Sequence, residues 1–411
     1  MPPAGRLSPS LSRRAESLPA VAPEVSGVLF TAFEPSGDDH AAAVVRELRS
    51  RHPTLPIYAW GGPKMAAAGA TLVERTGEDA VMGVPGLAKV REHQRINRRV
   101  RAWLERHPEV RLLVPVDSPA ANFPICRIAR SMGLRIVHLV APQVWAWGGW
   151  RIHKLRRLTD LLLCLLPFEQ AWFGERGIPA RFIGHPLFDR PLDRAALDEA
   201  AAGLPEGSPR IALMPGSRPA EITKNFPLLL EAFRAIGRAH EGAVGVVAAT
   251  TPAVEQRLRA IAAGHGGWPG SLSVVAGRAD AVIHWCELAL VVSGTVTLQI
   301  ARQQRPMVIV YRSNPLVYVL LARWVLSTEF FTLPNLIAGR EIVPELVPHF
   351  GGPEPIAEHA LRLLADPSLA ARQRAEMARI AEKFAGRHAA RSAADAVEQS
   401  LGLVSVAAET V

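Results

Sequence analysis

Four places in this chain set polar or charged side chains directly after an apolar run, and each has residue types suited to one part of a group-transfer reaction. Asp117 ends the run Leu112-Leu113-Val114-Pro115-Val116 and is followed by Ser118-Pro119 and, close behind, Asn122. A carboxylate at the end of a strand can take a proton from an attacking hydroxyl; a turn aspartate bonded to local backbone N–H groups has the same sequence signature. Met214-Pro215-Gly216-Ser217-Arg218, with Glu221 just beyond, offers different chemistry. Gly216 lets the backbone approach a ligand closely, the following helix aims N–H groups at an anion, and Arg218 adds a fixed forked cation, which together suit a diphosphate. A plain strand-to-helix turn with a solvated arginine is the alternative.

Ser293-Gly294-Thr295 repeats the arrangement of strand, small-residue turn and helix, with Gln299 one turn further on. The two hydroxyls can cap the helix or bond a ligand. Two such cradles in one half of the chain favour a nucleotide diphosphate more than either does alone. The fourth place, Glu34-Pro35-Ser36-Gly37-Asp38-Asp39, gathers three carboxylates at a helix start. They would repel a bare phosphate and suit hydrogen bonds to sugar hydroxyls, while first-turn acids also stabilise a helix without any ligand. Gln143-Val144-Trp145-Ala146-Trp147 adds aromatic rings that can stack on sugars or line an acyl groove, or fill a core.

Parallel strands are the elements that would place such residues together. Short apolar runs alternate with helical patterns from residue 25 onward, which predicts βαβ units: strands at 28–32, 56–59, 112–116, 136–140, 161–165 and 181–183. A break rich in Pro, Ala, Gly and Ser covers 190–209. The alternation then restarts, with strands at 211–214, 244–248, 272–275, 288–292 and 307–311, helices at 220–239 and 253–263 and from 295, and terminal helices after about 355. The expected architecture is α/β, with two facing Rossmann-like halves at 25–195 and 205–375, a flexible tail at 1–24, and terminal helices at 376–411 that can pack back on the first half.

The chain has 411 residues, of which 49% are hydrophobic, enough for more than one core. Lys and Arg number 47 against 38 Asp and Glu, a net charge of +9 that favours anionic partners. The arginines are scattered and carry no nucleic-acid-binding signature, so no nucleic-acid partner is expected. Cys126, Cys164 and Cys286 are too far apart for a metal-site or disulfide pattern, which points to a reducing compartment and no structural zinc; no cofactor and no metal are expected. No apolar run reaches the roughly 20 residues that span a bilayer; those at 161–168 and 316–326 are about half that. Residues 1–24 lack an apolar signal core, leaving a tail or, as an alternative, an organellar transit peptide.

Taken in order, these motifs resemble the lipid-A-disaccharide synthase family over about residues 28–350. The residues that carry the similarity are Glu34-Pro35-Ser36-Gly37-Asp38, Gly61-Gly62-Pro63-Lys64-Met65 with Gly69, Val81-Met82-Gly83-Val84, Asp117-Ser118-Pro119 with Asn122, and Val144-Trp145-Ala146-Trp147. Further matches are Leu166-Pro167-Phe168-Glu169, Gly184-His185-Pro186, Pro215-Gly216-Ser217-Arg218, Ser293-Gly294-Thr295 and Leu333-Pro334-Asn335 with Gly339-Arg340. The resemblance implies a GT-B fold and an inverting transfer of diacylglucosamine from UDP to the six-hydroxyl of diacylglucosamine 1-phosphate. It implies UDP-sugar contacts at Gly216, Ser217, Arg218, Glu221, Ser293, Gly294, Thr295, Gln299 and Asn335. Acceptor contacts would fall at Glu34, Ser36, Gly37, Asp38, Asn122, Gln143 and Trp145, with Asp117 as the base. A cytoplasmic protein resting on the inner membrane is expected, with 81–90 and 316–326 as candidate contact surfaces, buried packing being the favoured alternative for each, and a homodimer allowed.

Four positions depart from the family pattern: Gln299 replaces an acid, Ala120 a second aspartate, Phe33 a glycine and Gln143 a serine. Ala120 leaves Asp117 as the only base. Two other readings compete, a related transferase acting on another lipid or sugar, and a silent UDP-sugar or lipid binder, the latter motivated by Gln299 and Ala120.

Overall fold

A computed structural model describes residues 26–76, 87–146, 148–315 and 328–403, with 87–90 as backbone only. The tail at 1–24, the Val81-Met82-Gly83-Val84 motif, Trp147 and the two expected membrane-contact stretches, 316–326 and the side chains of 81–90, lie outside the described residues.

The first half is a seven-stranded parallel sheet. Its elements are β1 (Gly27–Ala32), α1 (Pro35–Arg51), β2 (Ile57–Gly61), α2 (Pro63–Ala67), β3 (Thr71–Arg75), α3 (Leu87–Leu104), β4 (Val110–Val116) and α4 (Pro119–Ser131). Then come β5 (Arg135–Leu139), α5 (Ile152–Leu158), β6 (Leu161–Cys164), α6 (Glu169–Gly174) and β7 (Ala180–Phe182). The strand order is β3-β2-β1-β4-β5-β6-β7. All six residues of β1 are buried, as a parallel strand covered by helices on both faces requires. The chain builds outward from β1 to β3, then returns to lay β4 against β1, with Ala32 opposite Val116. Strand direction of growth therefore reverses between β1 and β4.

The second half repeats the plan with six parallel strands. In order come α7 (Arg194–Ala201), β8 (Arg210–Met214), α8 (Pro219–Ala239), β9 (Val244–Ala249), α9 (Pro252–Ala263), β10 (Leu272–Ala276), α10 (Ala279–Trp285) and β11 (Leu288–Val292). They are followed by α11 (Val296–Arg302), β12 (Met307–Arg312), α12 (Leu333–Ala338), β13 (Glu345–His349), α13 (Glu354–Ala365), α14 (Pro367–Glu382) and α15 (Ala389–Leu401). The order β10-β9-β8-β11-β12-β13 puts the reversal between β8 and β11.

The two sheets are joined by more than chain continuity. Leu298 of α11 and Ile337 of α12 belong to the same apolar cluster as Trp145, Ile128 and Leu155 of the first half. The end of the chain also crosses over. Ala389, Ala393, Ala394 and Ala396 of α15, small enough to permit close approach, pack with Val397 on the α1 side of the first sheet. Arg51 of α1 holds Asp395 at 2.6 Å and the buried Glu398 at 3.2 Å, and His52 reaches Glu398 at 2.9 Å.

The strands legible in sequence are present within two residues of their expected limits. Two edge strands, β3 and β13, were not expected. Thr71–Arg75 is half exposed and has no apolar run to mark it, and Glu345–His349 contains Pro348, which only an edge strand tolerates. The compositional break at 190–209 contains a helix, α7, started by Asp193, whose side chain accepts from Ala196 N at 3.0 Å.

Candidate functional site

In open parallel sheets, ligands bind beyond the carboxyl ends of strands where the strand order reverses. Both reversals here carry residues singled out by sequence. At the first, Glu34 follows β1 and Asp117-Ser118 follow β4, and Ser118 Oγ donates to Glu34 Oε1 at 3.0 Å. Asp117 and Ser118 both adopt left-handed backbone angles, with φ of 45° and 41°. Such angles cost non-glycine residues roughly 1–3 kcal/mol each and persist where the surroundings over-determine them. Burial raises the Asp117 carboxyl above its ordinary pKa, the Ser118 backbone N–H lowers it in part, and the Glu34 charge raises it further. A half-exposed carboxylate of raised basicity is suited to accept a proton.

At the second reversal, the turn after β8 lies beside the turn after β11. A Cβ on Gly216, whose φ is +97°, would stand 3.1 Å from Glu221 Oε2 and 3.8 Å from Val292 Cγ1, so only glycine fits here without strain. Ser217 and Arg218 are exposed, as are Gly294 and Thr295. Arg218 Nη1 donates to Glu221 Oε1 at 2.9 Å, and the Arg218 backbone N–H donates to Glu221 Oε2 at 3.4 Å, so Glu221 reaches back to hold the start of α8. Arg218 is the exposed partner of this pair, so its guanidinium can turn to an incoming anion. Thr297 Oγ1 donates to Gly294 O at 2.7 Å and fixes the Ser293–Thr295 turn, while Gln299 is half buried one turn on.

Four expected ligand contacts are spent inside the protein, which corrects their reading from sequence. Asp38 is buried; its Oδ1 accepts Gly62 N and Met65 N at 3.1 Å each and its Oδ2 accepts Lys64 N at 3.0 Å, so it caps α2. Asn122 is fully buried, with both amide hydrogens and its oxygen engaged by Val116, Asp117 and Thr31. Trp145 is a core residue whose Nε1 donates to buried Glu169 at 2.9 Å. Asn335 exposes nothing: its Nδ2 donates to Val343 O and Glu345 Oε2, and its Oδ1 accepts Ile342 N and Val343 N. Gly37 is buried too, with room for a Cβ only 3.2 Å from Ala32, and serves to seat α1 on the ends of β1 and β4. Ser36 and Gln143 are exposed and remain available.

Glu169 is a structural acid with a pH signature. Burial pushes its carboxyl up to about 7, partly offset by N–H bonds from Leu166, Trp145 and Leu165. Its folded value lies above the unfolded one of 4.5, so the contribution to stability is full below pH 4.5 and is lost as pH rises through about 7. The difference corresponds to about 3 kcal/mol at most. Glu169→Gln is expected to flatten the decline in melting temperature between pH 5 and pH 8; parallel declines in both chains would overturn this.

Two features at the clusters carried no sequence signal. Tyr311, near the end of β12, has its phenol raised mainly by burial and then by the Glu221 charge, with Arg218 opposing. His138 on β5 is fully buried, neither ring nitrogen meets hydrogen-bond geometry with a partner among the described residues, and burial drives it down to about 4, opposed by the nearby Asp117 backbone. A lone aromatic or histidine inside a strand reads as core, and only the neighbouring strand shows otherwise. Among the described residues no three His, Cys, Asp or Glu side chains gather in a metal-holding group, and no helix is long and apolar enough to cross a membrane.

Comparison with known proteins places this geometry. The family described as Lipid-A-disaccharide synthetase matches residues 28–399. The chain is 34% identical over 360 residues to the lipid-A-disaccharide synthase of Geobacter sulfurreducens, across 87% of this chain and 92% of that protein. It is 37% identical over 343 residues to the lipid-A-disaccharide synthase of Azotobacter vinelandii, across 82% and 89%. Among solved structures, the glycotransferase of kitacinnamycin matches with a TM-score of 0.61 at 17% identity, over 91% of this chain and 99% of that one, which makes the fold that of the GT-B glycosyltransferases.

Proposed function

The chain belongs to the lipid-A-disaccharide synthase family, and we propose that its two reversal points divide one inverting glycosyl transfer between them. It is a glycosyltransferase of lipid A disaccharide synthesis. The donor is UDP-2,3-diacylglucosamine, and the acceptor is the six-hydroxyl of 2,3-diacylglucosamine 1-phosphate. The observation that carries the reading is that the acid and the anion cradle each stand at a strand-order reversal, one in each sheet.

In the transfer, the acceptor oxygen attacks the anomeric carbon from the side opposite UDP, giving the β-linked disaccharide. Asp117 takes the hydroxyl proton as the new bond forms. UDP departs with its charge offset by the Arg218 guanidinium and by the backbone N–H groups of Gly216, Ser217, Gly294 and Thr295. Glu34, Ser36 and Gln143 are the remaining acceptor contacts. Gln299 keeps a hydrogen bond to the donor without the charge of the acid usual in the family.

The membrane surface supplies both acylated substrates. On α3, Arg91, Arg95, Arg98, Arg99 and Arg101 are exposed while Ile96 and Val100 are buried, a basic face suited to anionic headgroups. Binding to anionic vesicles is expected to fall steeply between 50 and 500 mM salt, as screening dictates. Binding insensitive to salt would remove the electrostatic part of this reading.

The direct test is disaccharide formation from the two acylated substrates in detergent with EDTA, followed by mass spectrometry. Product is expected. Undiminished UDP binding with no product would shift the assignment to another acceptor.

A further inference from the structure

The acid turn after β4 is held from beneath by a buried polar pair that touches neither cleft nor solvent. Thr31, near the end of β1, and Asn122, on the first turn of α4, expose none of their surface. Thr31 Oγ1 donates to Asn122 Oδ1 at 2.7 Å. That bond anchors the oxygen end of the amide, while its Nδ2 donates to Val116 O at 3.0 Å and to Asp117 O at 2.8 Å. The same turn is tied above by Asp117 N donating to Leu139 O at 3.0 Å and by Ser118 Oγ donating to Glu34. Two successive left-handed non-glycine residues need this kind of over-determination. An amide suits the task because it presents two hydrogens side by side to the two carbonyls that flank the bend, while its oxygen answers a third group on the neighbouring strand.

We propose that Asn122, oriented by Thr31, is a positioning residue that sets the direction of the Asp117 carboxylate toward the acceptor hydroxyl. The inference rests on Asp117 being the base. Asn122 is thereby removed from the acceptor contacts and given a role through the backbone of its neighbour. Thr31 enters the reaction as the residue that holds the far end of the amide: the carbonyls of Val116 and Asp117 already require Nδ2 to face them, and Thr31 Oγ1 fixes and satisfies the Oδ1 that points away.

The test compares Asn122→Ala, Thr31→Val and Thr31→Ser with the parent chain by kcat, KM for the acceptor, UDP affinity and the pH profile of kcat/KM. A ten- to hundredfold fall in kcat is expected for N122A, and three- to tenfold for T31V. UDP affinity and acceptor KM should stay within about twofold, and the acidic limb of the profile should move. T31S should restore the parent values. Asn122→Ala in an Asp117→Asn background should cause no further loss, because its effect passes through Asp117. If N122A does not fold, T31V, which exchanges one hydroxyl for a methyl, carries the test. The proposal is overturned if folded N122A or T31V keeps kcat within twofold, or if the loss lies in acceptor KM. An active Asp117→Asn chain defeats the base assignment itself; an inactive one beside an unaffected N122A defeats the positioning role alone.

Discussion

Asp117→Asn is expected to lower turnover roughly a thousandfold while UDP binds within about twofold of the parent, as titration of each purified chain with UDP would show. Asparagine keeps the size of the side chain and the left-handed turn, which asparagine tolerates well, but cannot accept the proton from the attacking hydroxyl. General-base contributions run from about a hundredfold to ten-thousandfold. In the proposed transfer Asp117 carries all of it, since Ala120 stands where the family resemblance implies a second acid. The pH profile supplies an independent check. Because burial, with Glu34 adding to it, raises the Asp117 carboxyl above its ordinary value, kcat/KM should fall as pH drops through that raised value. The acidic limb should vanish in the asparagine chain. Arg218→Ala is the complementary control: losing a charged hydrogen-bonding partner of a diphosphate should weaken UDP roughly tenfold to a hundredfold. Equal loss of UDP affinity in both variants would contradict the division of labour between the two sheets.

Sequence periodicity carried the architecture because parallel strands covered on both faces must be short, continuous and apolar, as Gly27–Ala32 and Leu288–Val292 are. Edge strands escape that rule, which is why Thr71–Arg75 and Glu345–His349 went unseen. The turns of the candidate site were legible for a related reason. Strand-to-helix turns announce themselves by glycine, serine and charge, so Gly216-Ser217-Arg218 and Asp117-Ser118 could be found. What such turns do not announce is whether a polar side chain points out toward a ligand or inward to bind the turn together. Asp38, Asn122, Trp145 and Asn335 all point inward. Their partners lie 24, 91, 24 and 10 residues away along the chain, at Gly62, Thr31, Glu169 and Glu345. Those contacts are created by the fold and leave no local trace.

Asn335→Ala is the second large effect expected, and it falls on stability. All four hydrogen-bonding positions of the Asn335 amide are used, and the side chain is fully buried between α12 and the segment leading into β13. Truncation leaves the N–H groups of Ile342 and Val343 and the carbonyl of Val343 without their partner. It also strips one donor from Glu345, which retains Phe331 N, Thr332 N and Thr332 Oγ1. Each buried group left unpaired costs about 1–3 kcal/mol, and entry of water recovers part of it, so a loss of about 3–4 kcal/mol is expected in denaturant titration of the second half. Asn335→Asp should be worse than alanine at neutral pH, because it sets a second carboxylate against Glu345 Oε2 at the 2.7 Å separation now bridged by an N–H. Acidification toward pH 4 should recover part of that deficit as one of the two carboxyls takes up a proton. UDP affinity, measured at low temperature where both variants remain folded, should be nearly unchanged in the alanine chain. A side chain that contacted UDP would behave in the opposite way, losing affinity in proportion to the missing bonds while sparing the melting temperature. That contrast separates a residue that holds α12 to β13 from one that holds the nucleotide.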